Sequence, residues 1–272
     1  MTTVGEVDGA AALAAVKRGS ARLSELVRSV QHPEKPALGD WSVGDVAVHV
    51  SHIFNVVTAM LRDSGSLIGD VWDLGAITRM MVGGESDRDM KTVADRIDAN
   101  ADEFLSAMSE SGNKGSRAWL VEGVTVPVTT LSCHLLNEII VHGNDIATAE
   151  GLPWPLERSD TNLVVNGFLF PVLGGLGKQM VDQKVAGQMR SCLDIRVRGG
   201  GRAYFVFEDG SLSVEDPSDR KVDCHLSVDP TAFLLVAWGR KSKWDAIARG
   251  QLLAWGMKPW HGLKLREMLR NP

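Results

Sequence analysis

Leu131-Ser-Cys-His134-Leu-Leu-Asn-Glu138-Ile-Ile-Val-His142-Gly-Asn-Asp145-Ile-Ala147 reads as one helix whose apolar surface is interrupted by a polar stripe. At about 100° per residue, Leu131, Leu135, Leu136, Ile139, Ile140 and Ile146 take up much of the circumference. His134, Glu138, His142 and Asp145 fall within one narrow sector. Four-residue spacing stacks Glu138 and His142 on one face, where the two side chains can hold a single ion. Spacing alone supports two readings of the sector, a solvated helix face or a polar site inside a bundle, because Glu-x-x-x-His recurs by chance.

Upstream, residues 42–62 form a second amphipathic helix. Val43, Val46, Val50, Ile53, Phe54, Val57 and Leu61 make one arc, with His49 at its edge and His52 further out. His49 is therefore the inward candidate. Two imidazoles and one carboxylate suit zinc or a similar divalent ion, and three protein ligands leave positions open for water or substrate. His52 and His134 read as supports or as surface residues. Asp145 is placed to hold the other nitrogen of a ligand imidazole or to form a salt bridge along the helix.

The surrounding sequence divides in two. Residues 10–150 are helical, with apolar residues three and four apart and breaks near 32–39, 83–86 and 111–116. Helices are expected over 7–30, over 42–62 with Asp40 or Ser42 as cap, over 89–108 and over 131–150, with a β-branched stretch at 124–130. Four such helices predict a four-helix bundle, an architecture that builds metal sites from inward-facing side chains. After Gly151-Leu-Pro-Trp-Pro155, residues 162–180 are apolar enough for another helix despite Pro171. The period then becomes two. Leu193, Ile195 and Val197 alternate with charged residues, 204–207 continue the pattern, Asp209-Gly210 makes a turn, Leu212 and Val214 alternate again, and a further strand runs through 222–228. Asp229-Pro230-Thr231 opens a helix through Trp238, and a last helix is expected over 260–269. The expected division is thus a four-helix bundle over 1–152, a bridging helical segment over 153–185 and an α+β domain over 186–272.

Composition narrows the function classes. A chain of 272 residues with a formal charge of −5 and no basic block argues against nucleic acid as a partner. No basic leader with an apolar core opens the chain and no apolar run is read as spanning a bilayer, so a cytoplasmic protein without membrane contact is expected. Cys133, Cys192 and Cys224 are odd in number and far apart, which predicts reduced thiols, mostly buried. Cys133 points about 140° from Glu138 on the wheel and reads as core. Gly199-Gly200-Gly201 has no helix after it and is a turn rather than a phosphate loop; Gly174, Gly175 and Gly177 form no cofactor motif either.

Two stretches carry a family resemblance. Trp41-Ser-Val-Gly-Asp-Val-Ala-Val-His49, with His52 after it, resembles the opening motif of the DinB-like bundle of mycothiol-dependent maleylpyruvate isomerases. Asn137-Glu138-Ile-Ile-Val-His142-Gly-Asn-Asp145-Ile-Ala147 resembles that family's second motif. In the C-terminal half, 194–197, Phe205-Val-Phe-Glu-Asp-Gly210, 229–240 and Gly250-Gln-Leu-Leu-Ala-Trp-Gly256 resemble its sterol-carrier-like domain more loosely. The resemblance implies His49, Glu138 and His142 as metal ligands, zinc as the most fitting ion and mycothiol as thiol cofactor or cosubstrate. It further implies a reaction in which a thiolate adds to a cis double bond, the bond rotates, and elimination gives the trans isomer. The family's Trp-x-Gly-Arg-like element is compact here as Trp238-Gly239-Arg240, and Arg240 is the candidate for clamping a substrate carboxylate, with a solvated turn arginine as the other reading. The same scaffold serves thiol transfer to other electrophiles. Two further readings are a C-terminal domain binding a lipid or other apolar ligand, with Phe205, Phe207, Phe233, Trp238, Trp244 and Trp255 lining a cavity or simply forming core, and a non-enzymatic regulator.

Overall fold

The computed structural model describes residues 4–111 and 115–270. These form two compact units, residues 8–156 and residues 157–270 joined by residues 4–7.

In the first unit, α1 (Gly9–Ser29) starts on Asp8, whose carboxylate accepts from the amides of Ala10 and Ala11. Its buried Ala12, Ala15, Val16, Gly19, Leu23, Leu26 and Val27 recur at three and four. A small hairpin, β1 (Pro36–Leu38) and β2 (Trp41–Ser42), leads into α2 (Val43–Leu61). Of the two expected caps Ser42 is the one used. Its hydroxyl accepts from the Asp45 amide at 3.2 Å while the Asp45 carboxylate accepts from the Ser42 amide at 3.0 Å, a reciprocal capping box. By length and composition α2 is apolar enough to cross a membrane, contrary to the reading of the sequence. Its apolar side chains are instead core of this unit, packed on its neighbours.

A short helix that the periodicity did not predict, α3 (Leu74–Gly84), buries only Val82. Next come α4 (Met90–Ser111), an antiparallel pair of β3 (Ser116–Ala118) and β4 (Thr125–Pro127), and α5 (Val128–Glu150). The β-branched stretch thus supplies β4, and α5 begins three residues earlier than expected. Gly151, at φ +71°, ends α5 in the left-handed conformation that glycine adopts without strain. Helices α1 and α2 each pack on both α4 and α5, which closes the expected four-helix bundle.

Helix α5 is buried on nearly every side, so its polar stripe lies inside the bundle rather than in water. One contact is close enough to exclude any Cβ. Trp154 lies on the backbone of Gly143, its indole nitrogen donating to the Ile140 carbonyl at 3.3 Å, and a Cβ at 143 would collide with the ring. Gly143→Ala is expected to lower stability by about 1–3 kcal/mol through overpacking, read as a lower midpoint in thermal unfolding.

The second unit begins with α6 (Arg158–Val164), a π-type turn over Val165–Leu169, α7 (Phe170–Leu176), a 3₁₀ turn over Gly177–Met180 and α8 (Gln183–Ala186). The single helix expected over 162–180 is therefore interrupted, and Pro171, which has no amide hydrogen, sits just after the wide turn. Strands β5 (Ser191–Val197), β6 (Arg202–Glu208), β7 (Ser211–Glu215) and β8 (Cys224–Val228) follow, then α9 (Pro230–Ala237), α10 (Lys243–Ala248), β9 (Leu252–Gly256), α11 (Pro259–Leu263) and α12 (Leu265–Met268). The strand order is β7-β6-β5-β8-β9, with β5 and β8 parallel and the other pairs antiparallel.

Leu193, Ile195, Phe205 and Leu226 share the buried face by alternation. Phe170 meets Phe205 edge to face at 5.3 Å, α6 packs on α9 and α7 on β7. Residues 157–185 consequently belong to this unit's core and do not form a separate bridge. Gly199, Gly200 and Gly201 turn the chain from β5 to β6 against Asn162 and Asn166, as a turn and not a phosphate loop.

Candidate metal centre

Two elements of the bundle converge on one carboxylate. From α2, His49 brings Nε2 to 3.1 Å from Glu138 Oε2, and from α5, His142 brings its Nε2 to 3.3 Å from the same oxygen. The three ligand atoms lie within 4.8 Å of one another. Ligand atoms each about 2.1 Å from one tetrahedral ion are about 3.4 Å apart, so the donor set and its spacing fit a zinc-like ion.

The rest of the pocket aims these atoms. His142 Nδ1 lies 3.0 Å from Asp145 Oδ2, which commits that nitrogen and leaves Nε2 toward Glu138. On the other side of the carboxylate, Asn137 donates its side-chain amide to Glu138 Oε1 at 3.1 Å, and His134 Nε2 stands 3.6 Å from Oε1, within ion-pair range but beyond a hydrogen bond. Oε1 is thereby tied down and Oε2 turned toward the two imidazoles. Trp41 covers His49 at 5.3 Å between ring centroids, and the His49 and His142 rings meet edge to face at 4.9 Å.

Electrostatics follows from this geometry. Burial works to raise the Glu138 carboxyl, but the bonds from His142 and His49 overrule it and hold it well below the usual carboxylate range. At His142 burial opposes the charge, yet Asp145 and Glu138 push it up to about 9. Burial lowers His49 against the pull of Glu138, and it likewise lowers His134. Asp145→Asn is expected to weaken metal binding about 10- to 100-fold, read by competition with a chromophoric chelator, because the amide no longer anchors the ring as a charge acceptor.

His52 takes no part in the trio. It is half-buried, and burial with the nearby Arg96 lowers it. Arg240 belongs to the other unit, just after α9, where its Nη1 donates to the Trp238 carbonyl at 2.6 Å. Asn137 was not singled out by the wheel because it lies 100° from Glu138, outside the polar sector. Only the burial of α5 on all sides reveals that both residues are interior. Cys133, Cys192 and Cys224 are free and buried, and burial pushes Cys133 up to about 12, which removes it as a nucleophile.

The aromatic residues considered as a lipid cavity do not share one lining. Phe205 and Phe207 are in the core, Trp255 stands on the opposite sheet face, and Trp244 is 63% exposed on α10.

Fold and donor set together define a four-helix bundle with a candidate metal site, followed by a helix-covered mixed sheet. Residues 12–147 match the family described as the mycothiol maleylpyruvate isomerase N-terminal domain, and the chain belongs to that family. Residues 177–256 match the SCP-2 sterol transfer family. Among solved structures, the crystal structure of a mycothiol-dependent maleylpyruvate isomerase is similar at 13% identity and a TM-score of 0.57, covering 93% of this chain and 95% of that one. A histidine-to-alanine mutant of such an isomerase is similar at 13% identity and a TM-score of 0.53, with the same coverage. These likenesses speak for the fold across both units. No curated protein matches the sequence.

Proposed function

We propose that this chain is a metal-dependent enzyme that uses mycothiol, either to isomerise a cis double bond as maleylpyruvate isomerases do or to transfer the thiol to another electrophile. The convergence of His49 and His142 on one oxygen of buried Glu138 carries this reading. His49, Glu138 and His142 would hold a zinc-like divalent ion, which would lower the pKa of a thiol and keep it as the thiolate, a strong nucleophile at neutral pH. Glu138 offsets part of the ion's charge, Asp145 fixes the tautomer and direction of His142, and Trp41 shields His49 from water. Arg240 is proposed to take a substrate carboxylate, since a guanidinium offers paired donors to both oxygens. The test is metal quantification on the native protein followed by mycothiol turnover with maleylpyruvate and a panel of electrophiles. About one ion per chain and metal-dependent thiol chemistry are expected; a native protein without metal sinks the proposal.

The match to the SCP-2 sterol transfer family favours a second reading, an apolar ligand held by the second unit. Organic extraction of purified protein that recovers one lipid per chain would support it.

A further inference from the structure

The sheet of the second unit carries a charged cluster on the face opposite Leu193, Ile195 and Phe205, beside the small buried cluster of Cys192, Tyr204 and Val206. Alternation and register bring together Asp194 and Arg196 of β5, Arg202 and Tyr204 of β6, His225 of β8 and Trp255 of β9. Asp194 is 0% exposed. Its Oδ1 accepts from Arg202 Nε at 2.6 Å, and its Oδ2 accepts from Arg202 Nη2 at 2.9 Å, Arg196 Nε at 2.8 Å and His225 Nδ1 at 2.7 Å. A carboxylate taken out of water is tolerated only when so fully satisfied. Here it serves as a fixed anchor for two guanidiniums whose combined charge exceeds its own.

Those guanidiniums still reach solvent. The Arg196 side chain is 44% exposed and that of Arg202 38%, and among the described residues neither Nη1 makes a hydrogen bond. Beside them Trp255, 42% exposed, stacks on His225 at 5.4 Å with 24° between the planes, while Arg196 lies 5.5 Å from its ring. The result is a pair of immobilised cations next to a flat apolar wall. Because the guanidiniums are already ordered on Asp194, a ligand does not have to pay their ordering entropy.

We propose that this face binds a small organic carboxylate with a flat, unsaturated or aromatic body, the carboxylate held by Arg196 and Arg202 and the body laid on Trp255. Guanidinium donors match the two oxygens of a carboxylate, and an indole face favours an offset-stacked ring. Asp194 is a positioning residue. The site does not depend on the metal centre of the bundle.

Calorimetric titration of the full-length protein with benzoate, cyclohexanecarboxylate and inorganic phosphate tests it. Benzoate is expected to bind saturably and about three- to tenfold more tightly than the saturated acid, the size of one aromatic pair, with phosphate weaker than either. Arg196→Gln and Arg202→Gln should each weaken benzoate about tenfold or more. Trp255→Leu, which leaves the Asp194 bonds intact and so guards against misfolding as the explanation, should abolish the preference for the flat acid. Arg249→Gln, at the exposed residue that caps α10, should change nothing. Absence of saturable benzoate binding, phosphate binding as tight as benzoate, or benzoate affinity unchanged in both arginine variants overturns the proposal. Metal content measured on the same samples separates failure of this site from failure of the metal centre.

Discussion

If the proposed metal is bound, His49→Ala is expected to abolish its binding while the bundle stays folded, and His142→Ala to abolish it and weaken the bundle as well. An ion whose binding is worth about 10–16 kcal/mol over four ligands loses about 10²- to 10³-fold in affinity for each ligand removed. The two variants differ because the two imidazoles do different work. His49 meets one carboxylate, Glu138, from α2. His142 stands between two, Glu138 at 3.3 Å and Asp145 at 3.0 Å, both buried. Its removal leaves two carboxylates without their shared partner, and breaking a buried pair in this way costs about 3–5 kcal/mol. Metal analysis by mass spectrometry and urea unfolding of the chelated proteins separate the two effects. Equal unfolding midpoints for the two variants would contradict the bridging role of His142.

The trio was legible in the sequence because two of its members share a helix at a four-residue spacing and the third follows a tryptophan-led motif. Interior and solvated stripes look alike on a wheel, however, and only the packing of α1 and α2 against α5 decides that this one is interior. Asn137 was invisible for the same reason. In the second unit the alternation of Leu193, Ile195 and Val197 revealed β5 and its buried face. It did not reveal β9, whose Leu252, Leu253, Ala254 and Trp255 show no alternation of apolar and polar residues along an edge strand. Nor did it show that Asp194 is buried. Every hydrogen bond to its carboxylate comes from its own strand two residues on, from β6 or from β8, so the partners that make its burial possible are a product of register and not of local pattern. Helix α3 escaped notice because a helix that buries one side chain needs no apolar stripe.

Asp194→Asn tests that burial directly and is expected to cost the second unit about 1–3 kcal/mol, because a neutral amide cannot accept all the bonds the buried carboxylate takes, while the two part-exposed guanidiniums that lose their counter-charge are screened by water. The change is nearly isosteric, so packing does not explain the loss. Its pH dependence has a definite sign. Burial works to raise the Asp194 carboxyl, but the bonds from Arg202, Arg196 and His225 prevail and hold it below its ordinary value. A group with a depressed folded-state value contributes stability that is present above its unfolded value, about 3.9, and is lost as pH falls through the folded one. The difference between wild type and Asp194→Asn should therefore be full at pH 7, still nearly full at pH 5, and should shrink only below about pH 4. Urea unfolding followed across that range gives the comparison. A difference that is constant down to the most acid conditions would mean that the charge on Asp194 is not what stabilises the sheet.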